Sequence, residues 1–408
     1  MIGYLGANSS RIKYHSFFLI FFTTLALKLS PIPNTIMRAF SFPLLILLLS
    51  FSCSSASQEK ASISTESDSI VPKKITLLFA GDLMQHQGQI DAARTASGYD
   101  YTTCFKFVKE EISKADVAIG NLEVTLGGKP YKGYPQFSAP DEYLSAIKDA
   151  GFDILLTANN HCLDRRKVGL ERTISMLDSL HIPHAGTYIN QNARELRYPL
   201  LIELKGFRIV ILNYTYGTNG ISVSSPNVVN YIDKNIMSND IKTAQALNPD
   251  AIIACMHWGE EYKQLPNKEQ TSLANWLLSQ GVTHIIGSHP HVVQPMELRT
   301  DSVSGNKHAI VYSLGNFISH MSAPNTDGGL LFKLELTKDS ATHVSHCSYS
   351  LVWVARPALT GKKNHMLVPV NFSNDSLPPA ARNRLKIFKE ASRALFKKYN
   401  YGINEYTF

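Results

Sequence analysis

Five apolar runs in this chain each stop at a residue that can ligate a metal ion or move a proton. LLFAGD ends at Asp82, VAIGNLE at Asn121 and Glu123, LLTANNH at Asn160 and His161, IIACMHWGEE runs through His257, and IIGSHPH ends at His289 and His291. Taken singly, each is an ordinary strand end, since Gly-Asp makes a turn and Asn-rich segments bond their own backbone. The H-P-H pair says more. Pro290 biases His289 toward extended backbone, where residues two apart project to one side and two imidazoles can share a site. Together, Asp, Glu, Asn and three His form a mixed nitrogen and oxygen donor set. Such a set suits Mn²⁺, Fe²⁺ or Zn²⁺ better than Ca²⁺, which takes oxygen ligands.

Residues this far apart in sequence meet only if the fold gathers strand ends. From Lys73 onward, short β-rich runs alternate with helical patterns. ITLLFAG, ADVAIGN, FDILLTAN, DAIIACMH and VTHIIGS read as buried strands, while DEYLSAIKDAG, GLERTISMLDSL and NKEQTSLANWLLSQG read as amphipathic helices. PLLIEL and FRIVILNYT, joined through Lys205-Gly206, form a hairpin, and HAIVYSLGNF, GGLLFKLEL and HVSHCSYSLVWVA add later strands. The pattern predicts an α/β domain over residues 73–355, with two sheets face to face and helices outside. A C-terminal extension, 356–408, carries TGKKNH, the extended MLVPVNF and an amphipathic helix, PPAARNRLKIFKEASRALFKKY, expected to dock on the domain. In α/β folds, ligands bind at the carboxyl ends of strands.

The ordered set FAGDLM, IGNLE, TANNHCLD, CMHWGEEY, IGSHPHVVQ and YSLGNF, from about Ile75 to Leu336, resembles the CapA family of poly-γ-glutamate capsule synthesis proteins. That family is a branch of the calcineurin-like metallophosphoesterase superfamily. The resemblance implies a four-layer α/β/β/α sandwich with one or two divalent metal ions at one edge. It implies Asp82 and His291 at one metal, Glu123 as the bridging carboxylate, and Asn160, His257 and His289 at the other. It implies His161 as the residue that gives a proton to the leaving group. The chain also departs from superfamily pattern. Met84 stands where phosphatases carry a further ligand, Asn121-Leu122-Glu123 stands where many relatives have a Gly-Asp bridge, and Asp164-Arg165-Arg166 replaces Asp-x-Gly, adding two positive charges near the mouth.

Four more residues are candidates for supporting or substrate-facing roles: Asn121, Asp164, Glu260 and Asn316. Glu260 could orient His257, because ligating imidazoles usually donate their other N–H to an acceptor. Asn316 is placed near the site by family similarity. Trp258 is expected to pack rather than to stack on substrate, and Ser288 and Ser313 lack the setting of a nucleophilic serine. The activity implied is metal-dependent hydrolysis of a phosphoester or a γ-glutamyl amide in capsule or other envelope-polymer metabolism. The substrate would then be an anionic polymer or a phosphoester, with capsule-synthesis machinery as a partner. The alternative is a non-catalytic, membrane-anchored accessory that binds or guides an anionic polymer; Met84 favours it and the retained histidines oppose it.

Composition sets the limits. With 408 residues and 44% hydrophobic content, a large core is available. The formal charge is +7, but Arg11, Lys13, Lys28 and Arg38 precede Cys53 with no acid among them, so the remainder carries 7 − 4 = +3. That excess is scattered, and no nucleic-acid signature accompanies it. The run MRAFSFPLLILLLSFSCSS resembles a bacterial lipoprotein leader, with Met37 as the expected start and Cys53 as the lipid attachment point; the alternative is a plain secretory signal cleaved nearby. Residues 1–52 are then leader and 53–72 a polar tether, and the protein is exported to the cell envelope and anchored there through lipid. Cys104, Cys162, Cys255 and Cys347 lack CxxC pairing and read as small buried side chains.

Overall fold

A computed structural model describes residues 71–373 and 376–408. The expected leader, Cys53 and nearly all of the tether lie outside the described residues. The chain begins with β1 (Lys73–Leu83), α1 (Gln87–Ala93), α2 (Lys109–Lys114), β2 (Val117–Leu122), α3 (Asp141–Asp149), β3 (Ile154–Leu156), α4 (Arg166–Ser179) and β4 (His184–Ala185). After β5 (Thr187–Tyr188) and α5 (Gln191–Arg197), the hairpin β6 (Leu200–Leu204) and β7 (Phe207–Thr215) leads through β8 (Val228–Val229) and α6 (Lys234–Ala246) to β9 (Ala251–His257), α7 (Lys268–Ser279) and β10 (His284–Ser288). The remainder is mostly antiparallel strand: β11 (Met296–Thr300), β12 (Lys307–Val311), β13 (Asn316–Ile318), β14 (Gly328–Lys338) and β15 (Thr342–Ala355). It closes with α8 (Pro357–Thr360), β16 (Met366–Pro369), α9 (Pro379–Tyr399) and β17 (Asn404–Glu405).

Side-chain alternation in β1 explains the layering. Ile75, Leu77 and Phe79 join a core shared with Ile209 and Ile211 of β7 and Ile253 of β9. Leu78 and Ala80 point the other way, into a core with Ile112 of α2 and Tyr143, Leu144 and Ile147 of α3. The first sheet therefore has the order β16-β15-β14-β1-β2-β3-β4, with β13 beside the end of β1 and β17 beside β15. The second has the order β11-β12-β10-β9-β7-β6. Helices α6 and α7 connect parallel neighbours of the second sheet, β7 to β9 and β9 to β10, and bury Met237, Ile241, Ala244, Ala274 and Leu277 against it. Helices on one side of each sheet and the sheets against one another make the four layers, as expected.

The segment HAIVYSLGNF is two strands rather than one. β12 pairs with β10 in the second sheet, whereas β13 pairs with β1 in the first. The chain crosses between sheets at Gly315, whose φ of 71° suits glycine. This crossing puts Asn316 in register with Asp82. The C-terminal residues are built into the same fold: β16 extends the first sheet beside β15, and α9 buries Leu385, Phe388 and Phe396 in the core that holds Trp353. Among the described residues, no helix is long and apolar enough to cross a membrane.

Two glycines let neighbouring backbone approach closely at the working ends of β1 and β10. A Cβ at Gly81 would stand 1.9 Å from the Gly315 carbonyl oxygen, and one at Gly287 would stand 2.0 Å from that of Tyr312. Neither backbone can retreat without moving the residues that follow, Asp82 or Ser288. Gly81→Ala should therefore destabilise the fold by about 3 kcal/mol, the upper range of core overpacking. Chemical denaturation checks this; a change below the experimental error would show that the rim is more compliant than its contacts imply.

Candidate metal centre

The parallel strands β1, β2 and β3 of one sheet and β9 and β10 of the other present their carboxyl ends at one rim, and the sequence-predicted donors meet there. Asp82 follows a register shift in β1, is buried, and receives the amide of Asn121 at 2.8 Å on Oδ1. Asn121 Nδ2 also faces His257 Nδ1 at 3.3 Å. His257 Nε2 lies 2.7 Å from Asn160 Oδ1 and 3.7 Å from Glu123 Oε1. On the far side of Glu123, the same Oε1 lies 3.9 Å from His291 Nε2. His291 Nδ1 lies 3.0 Å from Asn316 Oδ1 and 3.3 Å from Asp82 Oδ2. The His289 ring packs 4.8 Å from that of His257 and 5.8 Å from that of His291, centroid to centroid.

Glu123 is central to this arrangement. Donor atoms of Glu123, His289 and His291 lie within 4.8 Å of one another, and so do those of Asp82, Glu123 and His257. The carboxylate thus belongs to both groups. Both of its oxygens are buried without a hydrogen-bond partner, as are Asp82 Oδ2 and His289 Nδ1. Buried polar atoms are rarely left unpaired, because each costs a few kcal/mol of lost solvation. Four such atoms on converging side chains fit a site completed by a divalent cation.

Protonation tells the same story. Burial, and then the Asp82 carboxylate, push the Glu123 carboxyl well above its ordinary range. Burial and the neighbouring histidines push His257 well below the imidazole range and His289 down to about 3, so both are neutral at physiological pH, the form that ligates metals. At His291, burial lowers the value but Asp82 and Asn316 outweigh it, and the net shift is upward. A cation between the carboxylates would offset their mutual repulsion.

The histidine pair reaches the site by a route other than the expected extended backbone. His289 has φ 99° and His291 φ 58°, both in the left-handed region, where side chains other than Asn and Gly are costly. A tight turn, rather than alternation along a strand, aims the two rings at Glu123. Such strain is a recurrent mark of functional sites.

His161 and Asp164 form a separate pair beside the carboxylates. His161 Nδ1 lies 2.7 Å from Asp164 Oδ2, which also accepts the Phe137 backbone N–H at 2.8 Å. Burial raises the Asp164 carboxyl, with the His161 bond opposing it. The Phe137 ring meets His161 edge-on at 4.6 Å. The turn that follows keeps left-handed geometry without a glycine: Arg166 has φ 57° and donates its N–H to Leu163 O at 2.8 Å. Of the two added charges, Arg166 is exposed while Arg165 donates to the Pro130 carbonyl at 2.9 Å.

One candidate is not brought to the centre. Glu260 is exposed and accepts from Asn267 at 3.3 Å rather than from His257. It follows the sharp Gly259 turn, φ 89°, which carries it off the rim, and Asn121 is what faces the His257 ring. Met84 is a buried core residue whose carbonyl accepts from Tyr143 and Gln89. Trp258 packs, with Nε1 donating to Tyr312 O at 2.9 Å. The residue most plainly missed is Asn159. It donates to Leu122 O at 2.8 Å and accepts the His161 N–H at 3.1 Å, tying the ends of β2 and β3 together. Its signal was present in the doubled Asn of TANNH.

The sequence profile of the bacterial capsule synthesis protein family PGA_cap matches residues 76–321. The chain belongs to this family. Every residue described at the centre, from Asp82 to Asn316, lies inside that span. One relative, the capsule biosynthesis protein CapA of Bacillus anthracis, is 26% identical over 67% of this chain and 66% of its own length, just under two thirds. The PGA biosynthesis protein CapA of Bacillus subtilis is also 26% identical, over 69% of this chain and 72% of its own. Among solved structures, the calcineurin-like phosphoesterase YfkN from Bacillus subtilis overlaps 80% of this chain and 99% of its own, at 11% identity and a TM-score of 0.40. The NAD nucleotidase of Haemophilus influenzae overlaps 80% of this chain and 68% of its own, at 10% identity and a TM-score of 0.44. These scores describe partial overlap.

Proposed function

We propose that this PGA_cap protein is a metal-dependent hydrolase of envelope-polymer metabolism that cleaves a phosphoester or a γ-glutamyl amide. Supporting this reading is one observation above the rest: a buried glutamate with both oxygens unpaired, standing between His257 and His291. In this reading Asp82, Glu123, Asn160, His257, His289 and His291 hold one or two divalent ions of the Mn, Fe or Zn type. Bound there, the ions would supply Lewis acidity and an acidified water.

The chain's own residues do the rest. Asn121 holds Asp82 Oδ1 and faces His257 Nδ1, so it fixes two donors at once. Asn316 does the same for His291. With Nδ1 engaged by Asp164, His161 Nε2 is the ring nitrogen left to give a proton to a departing oxygen or nitrogen. Phe137 and the buried rim restrict water around that ring. Export and a lipid anchor at Cys53 belong to the same proposal, supported by the leader-like sequence before it.

The test is turnover by the purified protein, with added Mn²⁺ or Zn²⁺, of p-nitrophenyl phosphate, bis(p-nitrophenyl) phosphate and a γ-glutamate polymer side by side. Metal-dependent turnover of one class, abolished by EDTA, is expected and identifies the bond cleaved. Tight metal binding with no turnover of any of the three would favour the accessory that holds an anionic polymer.

A further inference from the structure

A second polar cluster stands on the same rim, and the mechanism above does not use it. His86 comes four residues after Asp82, His320 two residues after β13, Arg356 directly after β15 and His365 directly before β16. The last rung of the β15–β16 ladder pairs Ala355 with Met366, so Arg356 and His365 face each other one step beyond it. His320 Nδ1 lies 2.7 Å from His365 Nε2. The His320 ring rests on Gly88, where a Cβ would approach it to 2.7 Å, and its backbone N lies 3.4 Å from His86 Nδ1. From His86, contact continues to the His161–Asp164 pair beside the metal centre: its ring is 5.1 Å from Phe137, which is 4.6 Å from His161.

Bonds within the cluster leave donors over. His365 Nδ1 and Arg356 Nε are both buried without a partner. Asp327 acts on Arg356 through space, but its Oδ2 is already bonded by Arg384 at 2.7 Å and by Trp353 Nε1 at 3.2 Å. The partly buried Arg356 guanidinium and the His365 ring therefore each keep one polar atom unspent, with the His320 and His86 rings beside them. Arginine's fork of donors matches a carboxylate or phosphate. Arg356 and His365 lie beyond the 76–321 span that defines the family match.

We propose that Arg356, His365, His320 and His86 form a second anion-binding subsite, which takes a carboxylate or phosphate carried by the substrate beside the group held at the metal centre. The inference rests on that centre as the place of reaction and adds a requirement: the substrate carries repeated negative charge. A single phosphoester would fill the centre alone, whereas a polyanion would span both.

Calorimetric titration of the purified, Mn²⁺-loaded protein tests it, with orthophosphate, tripolyphosphate and tri-γ-glutamate as probes. The expected result is tighter binding of one of the two polyanions than of orthophosphate, the preferred one showing whether the subsite takes phosphate or carboxylate. Arg356→Gln should cut that preference about tenfold, and Arg356→Lys, which keeps the charge, should restore part of it. A preference unchanged in both Arg356→Gln and His365→Ala overturns the subsite. If orthophosphate binding shows no dependence on Mn²⁺, the metal-centre reading fails instead. The effect of Arg356→Gln on polyanion binding to the EDTA-treated protein then still decides the subsite.

Discussion

Glu123→Gln is expected to raise the stability of the metal-free protein and lower that of the metal-loaded one. In the absence of cations, Glu123 is a buried carboxyl with no hydrogen-bond partner and Asp82 nearby. Folding holds its proton to a higher pH than the unfolded chain does. As pH rises past the ordinary carboxylate range, the unfolded chain releases that proton first, so stability falls until the folded value is reached. His257 and His289 act in the opposite sense, because their folded values are lowered: stability falls as pH drops below about 6.5, where the unfolded imidazoles take up protons. The Gln variant keeps the histidine effects and loses the carboxylate one. In EDTA, its advantage over the wild type should therefore be smallest at about pH 4 and grow as pH rises beyond the ordinary carboxylate range. Saturating Mn²⁺ should reverse the ranking, since a ligand at about a thousand times its Kd adds about 4 kcal/mol to whichever form binds it. Melting curves at several pH values, with and without Mn²⁺, measure both halves. Equal stabilities throughout would mean that Glu123 is paired in solution in a way its surroundings do not show.

His161→Asn carries the second large effect. The variant should lose roughly 10²- to 10⁴-fold in kcat on whichever substrate the wild type turns over, while retaining its metal. His161 touches Asp164, Phe137 and the Asn159 side chain, none of which is among the six donors, so its loss should leave the centre assembled. The loss should be larger for a poor leaving group than for p-nitrophenolate, which needs no proton to depart. A uniform loss across leaving groups would assign His161 to positioning. Loss of metal together with turnover would make it part of the centre.

Much of this centre was readable from sequence because a parallel strand buried on both faces is a near-continuous apolar run. A polar residue at its carboxyl end is then conspicuous, and Asp82, Glu123, Asn160 and His257 stand out for that reason. The turn at His289 and His291 was not readable, because Pro290 argues for extended backbone at the preceding residue and tertiary contacts override that preference. The split of HAIVYSLGNF between two sheets was hidden for a similar reason: nothing local distinguishes a strand that continues from one that crosses at Gly315. Glu260 read as a partner of His257 on sequence proximity alone, whereas Asn121 reaches the ring from another strand. His365 and Arg356 lie across a ladder whose register only the fold defines.

The measurement closest to the central claim is the transition-metal content of the purified protein, by plasma mass spectrometry, for the wild type and for a His289→Ala, His291→Ala double variant prepared identically with Mn²⁺ and Zn²⁺ supplied. The wild type should retain at least about one equivalent per chain and the double variant almost none. A wild type that holds no transition metal, or a double variant that holds as much as the wild type, would contradict the account.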